Sequence, residues 1–296
     1  ASLLNELDKN LKTVKNKSFS ISAEMQANLA NGTASVPMME LKMLDSKFLA
    51  EVQASNINST NIVVDTQISA GGEDFSPFFA MGGALAPSEN TDQLLDYAKN
   101  LSKEKQKSFG FELDLHTNLE EGVLSVKKLD SQLLGIHLKG MMQGNNLNWK
   151  TKAGTLDGSV MVEAKDLRTF LRTINQSELA QQLLRLEINA GVQGQLDNLS
   201  LSPVGATVFV KNNRKSTPVE VTANIENASI NLQTDVMTLE QVMLSGLGVE
   251  STLSARVENL SGSPQIKGQF ATNSMNLKRI ARTLGLPPLQ TSNIKA

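Results

Sequence analysis

Apolar and polar residues alternate one by one along much of this chain. Phe109, Phe111, Leu113 and Leu115 interleave with Gly110, Glu112, Asp114 and His116. The same period of two recurs in Leu134, Ile136 and Leu138, and in Leu184, Leu186, Ile188 and Ala190. It returns in Val219, Val221, Ala223 and Ile225, and in Leu253, Ala255 and Val257. Successive side chains of a strand point to opposite faces, so each run predicts a strand with one apolar and one wet face. Turn residues punctuate the runs at Asn31-Gly32, Glu121-Gly122, Gly144-Asn145-Asn146, Lys211-Asn212-Asn213 and Ser261-Gly262-Ser263-Pro264. Links this short join neighbouring strands antiparallel.

Helical spacing interrupts the alternation in three places. Leu3, Leu4, Leu7, Leu11 and Val14 repeat at helical spacing within 2–15, and Leu94, Leu95, Ala98 and Leu101 within 91–104. Thr238 and Gln241 have the spacing of a capping box ahead of Val242, Met243 and Leu244. Short amphipathic helices of this kind are expected to lie on the sheet or cap it.

The chain also repeats itself. Residues 17–36, KSFSISAEMQANLANGTASV, align with 107–126, KSFGFELDLHTNLEEGVLSV, at a constant offset of 90. Downstream, 44-LDSKFLAEV-52 aligns with 129-LDSQLLGIH-137 at an offset of 85. A third element recurs after a strand-like run: Asp74 to Phe79 aligns with Asp166 to Leu171 and with Asn276 to Ala281. At each place Asp or Asn is expected to cap a short apolar helix, and Pro77 falls in a first turn, where a missing N–H costs nothing. Repeats of this kind divide the chain into units at 1–105, 106–175 and 176–296, read as one continuous elongated domain.

Composition narrows the chemistry. The chain has 296 residues, 40% of them hydrophobic and only 4% aromatic, with a formal net charge of −2. No Lys/Arg run stands out, which argues against a nucleic-acid backbone as partner. There is no Cys, which excludes disulfides, thiolate metal sites and Cys nucleophiles. No stretch of about 18 apolar residues occurs, so none is expected to span a bilayer as a helix. The chain opens on Ala1 without the features of a signal peptide, and it is read as a piece of something larger.

Gly71-Gly72-Glu73-Asp74-Phe75 resembles the GGDEF/GGEEF signature of cyclases that make a cyclic dinucleotide. The order is Glu-Asp-Phe here, and the counterparts of Asp74 at 166 and 276 lack the two glycines, so a helix cap accounts for all three sites. The two histidines, His116 and His137, fall on the polar side of their strands, a weak case for metal. The hydrolase, zinc-protease, Walker and dinucleotide motifs are missing. No catalytic residue, metal site or cofactor is therefore expected.

Asn276-Leu277, Ile280, Leu284-Gly285-Leu286-Pro287 and Thr291 together resemble the C-terminal region of the AsmA family. Leu-Asp-Ser followed by an apolar strand, at 44–46 and 129–131, is similar too, and Asp74, Phe78-Phe79 and Pro87 match more loosely. The copy at Asp166 lacks the Gly-Leu-Pro part. The resemblance implies a periplasmic segment of a protein held to the inner membrane by an N-terminal anchor outside this chain. It implies a sheet curved into a groove with an apolar concave face, phospholipid as cargo, a role in lipid traffic or outer-membrane assembly, and an envelope protein as partner.

The expected fold is mainly β: an elongated, curved antiparallel sheet built from repeats, with a few short helices capping or lining it. The expected lining residues are Phe19 and Ile21; Phe109, Phe111, Leu113 and Leu115; Leu134, Ile136 and Leu138; and Leu184, Leu186 and Ile188. The competing expectation is a closed β-rich scaffold, its apolar face filled as core, that docks partners without a lipid.

Overall fold

The computed structural model describes residues 18–85, 88–148, 150–211, 217–246 and 249–272. Fourteen antiparallel strands form one open, curved sheet in which every strand pairs with its neighbours in sequence. They are β1 (Phe19–Asn28), β2 (Thr33–Met43), β3 (Ser46–Ser55), β4 (Val63–Gly72), β5 (Phe109–Asn118), β6 (Val123–Leu133) and β7 (Ile136–Asn148). After them come β8 (Ala153–Ala164), β9 (Leu183–Gln195), β10 (Asn198–Val210), β11 (Val219–Asn231), β12 (Val236–Gly246), β13 (Val249–Glu258) and β14 (Gln265–Thr272). Helices α1 (Ser76–Leu85) and α2 (Ser88–Leu101) join β4 to β5, and α3 (Arg168–Thr173) and α4 (Leu179–Gln182) join β8 to β9. All four leave the same end of the sheet, the helix end. Among the described residues the opposite end carries only turns.

The repeat is visible in the strand bounds. Both bounds of β5 and of β6, and the start of β7, lie 90 residues after those of β1, β2 and β3. Equivalent turns use the same chemistry. Asn28 Oδ1 accepts the Asn31 N–H at 3.0 Å, and Asn118 Oδ1 accepts the Glu121 N–H at 3.2 Å. Gly32 and Gly122 hold φ of 63° and 62°, the left-handed region where only glycine is unstrained. The Asn-Leu pair shared by both copies in the sequence is this turn's signature.

The second alignment is corrected. Leu44 and Asp45 form the β2–β3 turn, with φ of 52° and 57°, whereas Leu129 to Ser131 lie inside β6. The counterparts of Leu44-Asp45 are Leu134-Gly135, again at an offset of 90 and again with positive φ. Two consecutive residues of this kind make the hairpin turn that matches the twist of the strands. Leucine is strained there, but Leu44 and Leu134 are both buried, and burial offsets the strain.

Two further expectations fail for one physical reason. Residues 238–244 are not a helix but part of β12, and Gly144-Asn145-Asn146 is not a turn but part of β7. Each holds a β-bulge, between Leu239 and Val242 and between Asn145 and Asn148. In β12 the extra residue puts Leu239 and Val242 on one face three apart instead of two, which imitates helical spacing, and in β7 the Asn that reads as a turn takes the bulge's positive φ, 52° at Asn146. Similar bulges lie between Val36 and Met39, Val126 and Leu129, and Leu201 and Val204. Pro37 and Pro203 occupy two of them, places where an interior strand tolerates a residue without an N–H. Bulges on β2, β6, β7, β10 and β12 bend and twist the sheet locally.

Candidate apolar trough

Residues paired across a ladder share a face, so the register assigns every strand residue to one side of the sheet. A middle row passes through Ala50, Ile68, Leu113, Leu129, Gly140 and Val160 on β3 to β8. It continues through Ala190, Val204, Ile225 and Val242. Toward the helix end the next row holds Phe48, Ala70, Phe111, Ser131, Leu138 and Val162 on the same strands. Toward the turn end it holds Val52, Thr66, Leu115, Val126, Met142 and Gly158. No ionisable residue interrupts these rows.

The opposite face is wet. Glu40 sits between Lys42 and Lys47, both at 2.6 Å, and the first-named of these partners does most to hold its carboxyl below the ordinary range. Lys128 bonds Glu112, Lys139 lies 3.9 Å from Asp130, and His116 Nδ1 lies 2.8 Å from Asp65 Oδ1. Depressions of about 500 and 390 Å³ lie on this face, walled by such side chains as Glu51, Asp114 and His137. Of the charged side chains around them, Lys128 pairs with Glu112 and Lys47 with Glu40 across neighbouring strands. A smaller depression of about 210 Å³ lies on the apolar face among Met25, Ala27, Ala34, Val36, Val52 and Ala54.

Helices and turns cover the margins of the apolar face. At the helix end Phe75 and Phe78 pack on Phe109, with ring centroids 5.1 and 5.4 Å away, and Phe78 stands edge-on to Phe48 at 5.9 Å. Phe48 and Phe109 flank β4 and converge over Gly72, where an added Cβ would come 2.7 Å from the Phe109 ring and 2.2 Å from Ser46 Oγ. Close packing therefore accounts for Gly72 in the cyclase-like stretch. Farther along, Leu167, Leu171 and Ala180 bury Ala164 beside Ile136 and Leu186. At the turn end Leu196 closes over Leu156 and Leu199, with Leu147 and Leu232 beside them. Between these margins the middle of the face is half-buried from β3 to β11, with Val242 buried on β12, and no second layer covers the half-buried part among the described residues.

The expected lining residues fall into three groups. Phe111, Leu113, Leu115, Leu138 and Ile188 lie on the half-buried apolar face, and Phe19 and Ile21 share it on edge strand β1, 65% and 60% exposed. Phe109, Ile136 and Leu186 share the face but pack beneath the helices. Leu134 and Leu184 depart from expectation. Leu134 is only 3% exposed in its turn, having left the strand. Leu184 falls in an irregularity of β9 between Leu183 and Arg185, where its carbonyl accepts the Leu167 N–H at 2.9 Å.

The caps behave alike but stand farther out than expected. Asp74 Oδ1 accepts from the Ser76 N–H at 2.9 Å and the Ser76 hydroxyl at 2.6 Å, and Asp166 Oδ1 accepts the Arg168 N–H at 3.0 Å. The cap position of α3 proper is Leu167, so Asp166 acts from one residue outside it. Partial burial opposes ionisation of Asp74, but the Lys107 ammonium at 2.6 Å and the Ser76 donors outweigh it and hold its carboxyl below the usual value. The Arg168 guanidinium does the same for Asp166. Asn276, the 2–15 segment and most of the 211–213 turn lie outside the described residues.

Sequence reasoning missed the middle rows on β3, β4 and β8, because Ala50, Ile68 and Val160 sit among Ala, Ser and Gly and give weak alternation. Among the described residues no group of three or more His, Asp or Glu side chains is placed to hold a metal ion. Among the described residues no helix is long and apolar enough to cross a membrane. No protein-family model, no curated protein and no solved structure matches this chain.

Proposed function

We propose that this chain is a non-enzymatic lipid-handling segment whose apolar sheet face shelters phospholipid acyl chains. The observation that carries the reading is the set of uncharged rows that cross the sheet and stay half-exposed between the helix margin and the turn margin. Fourteen strands spaced at about 4.8 Å make a face roughly 60 Å long, and ten residues at about 3.3 Å make it roughly 33 Å wide. Even with its margins covered, that exceeds the apolar patch of about 300–600 Å² usual on a monomer. A face of this size asks for an occupant. Each methylene it shelters contributes about 0.8 kcal/mol, without direction, so a chain is held and still free to slide.

The resemblance to the AsmA family supplies the setting: a periplasmic piece of an inner-membrane-anchored protein, acting in lipid transport or outer-membrane assembly with an envelope partner. The exposed Phe19, Ile21 and Met25 of β1 support a second reading, a scaffold that docks another protein at its edge strand. Native mass spectrometry with lipid extraction separates the two. The lipid reading expects co-purifying phospholipid, and a Leu113→Asp variant that stays folded but loses most of it. A folded wild-type chain that carries no lipid and takes up none from vesicles would leave the scaffold reading.

A further inference from the structure

The helices that follow β4 and those that follow β8 meet above the strands between them. Asn100 of α2 donates through Nδ2 to Asn175 Oδ1 at 2.7 Å and lies 3.4 Å from the Thr173 carbonyl. Arg172 of α3 donates through Nη1 to both carboxylate oxygens of Glu104, each at 3.1 Å. The β6–β7 turn lies under this junction, since a Cβ on Gly135 would come 3.1 Å from Gln106 Oε1 and 3.2 Å from the Asp166 carbonyl. Residues 68 to 75 apart in sequence, belonging to successive repeat units, are thus tied across four strands at the helix margin.

We propose that this tie is a clasp that sets how far the helix margin opens over the apolar face, and so how fast acyl chains enter and leave; the inference rests on the lipid reading above. Two features fit a joint rather than a weld. The Arg172 side chain is 45% exposed and Glu104 16%, so water competes for the pair. A pair with one exposed partner shifts an equilibrium by about twofold to fivefold, enough to bias opening without locking it. The clasp also stands outside the apolar rows, so loosening it leaves the lining intact.

The test uses the full chain and a phospholipid bearing a fluorescent acyl chain, released to vesicles of phosphatidylethanolamine and phosphatidylglycerol. Glu104→Gln is expected to speed release about twofold to fivefold at unchanged capacity. The charge exchange Glu104→Arg with Arg172→Glu is expected to restore the wild-type rate. Because the chain has no Cys, Asn100→Cys with Asn175→Cys can be joined uniquely by a short bis-maleimide, and release is then expected to slow several-fold. Lipid bound in all variants and released at one rate overturns the clasp and leaves the trough. No lipid bound by the wild type overturns both.

Discussion

Asp74 links two levels of the molecule with one carboxylate. It ties the start of α1 through Ser76 and holds Lys107, the residue that leads into β5. Its depressed pKa means that its contribution is present at neutral pH, where folded and unfolded chains are both ionised. The contribution shrinks below the unfolded value of about 3.9 and is lost as pH falls through the lower folded value. Asp74→Asn keeps a capping side chain but removes the charge held by Lys107, so it should cost about 0.2–1 kcal/mol at pH 7, and the gap in Tm from wild type should narrow as pH approaches 3. A gap that stays constant with pH would argue that the charge is idle. At Gly72 the prediction concerns space. Valine there would meet Ser46 and Phe109 inside van der Waals contact and should destabilise by about 1–3 kcal/mol in denaturant unfolding.

Elements in this protein differ in how much of their stability is visible locally. Leu101 ends α2 fully buried, while Ile266 on β14 is 73% exposed. Leu101→Ala should lower unfolding free energy by about 2–5 kcal/mol, and Ile266→Ala by less than about 0.5 kcal/mol. Strands were legible wherever alternation ran unbroken, as from Phe109 to Leu115. One was misread where a bulge changed the phase, at Gln241, whose φ of 52° places it in the left-handed region. A bulge is chosen by the neighbouring strand, which supplies one residue opposite two, and nothing within residues 238–244 announces that neighbour. Prolines 37 and 203 were usable clues, since proline inside an apolar strand run marks a break in the ladder.

At the scale of the whole molecule the sheet has two open edges among the described residues, β1 and β14. Edge strands carrying exposed Phe19, Ile21 and Met25 invite pairing with another chain. Ile21→Lys should reduce concentration-dependent association in sedimentation velocity while leaving stability within about 0.5 kcal/mol. Association that persists unchanged would place the contact elsewhere.

The alternation by itself determined that this chain is a mainly antiparallel sheet with one uncharged face, because period two is a local property of the backbone. The 90-residue repeat likewise followed from letters alone, since equivalent turns require equivalent Asn and Gly. Only the tertiary structure decided which apolar residues stay half-open and which are sealed. Ile136 and Leu138 are identical in pattern, yet Ile136 packs against the helix-end cluster while Leu138 lies toward the middle of the face. That difference depends on where helices from distant segments come to rest, and burial is set by such neighbours rather than by a residue's own place in its strand.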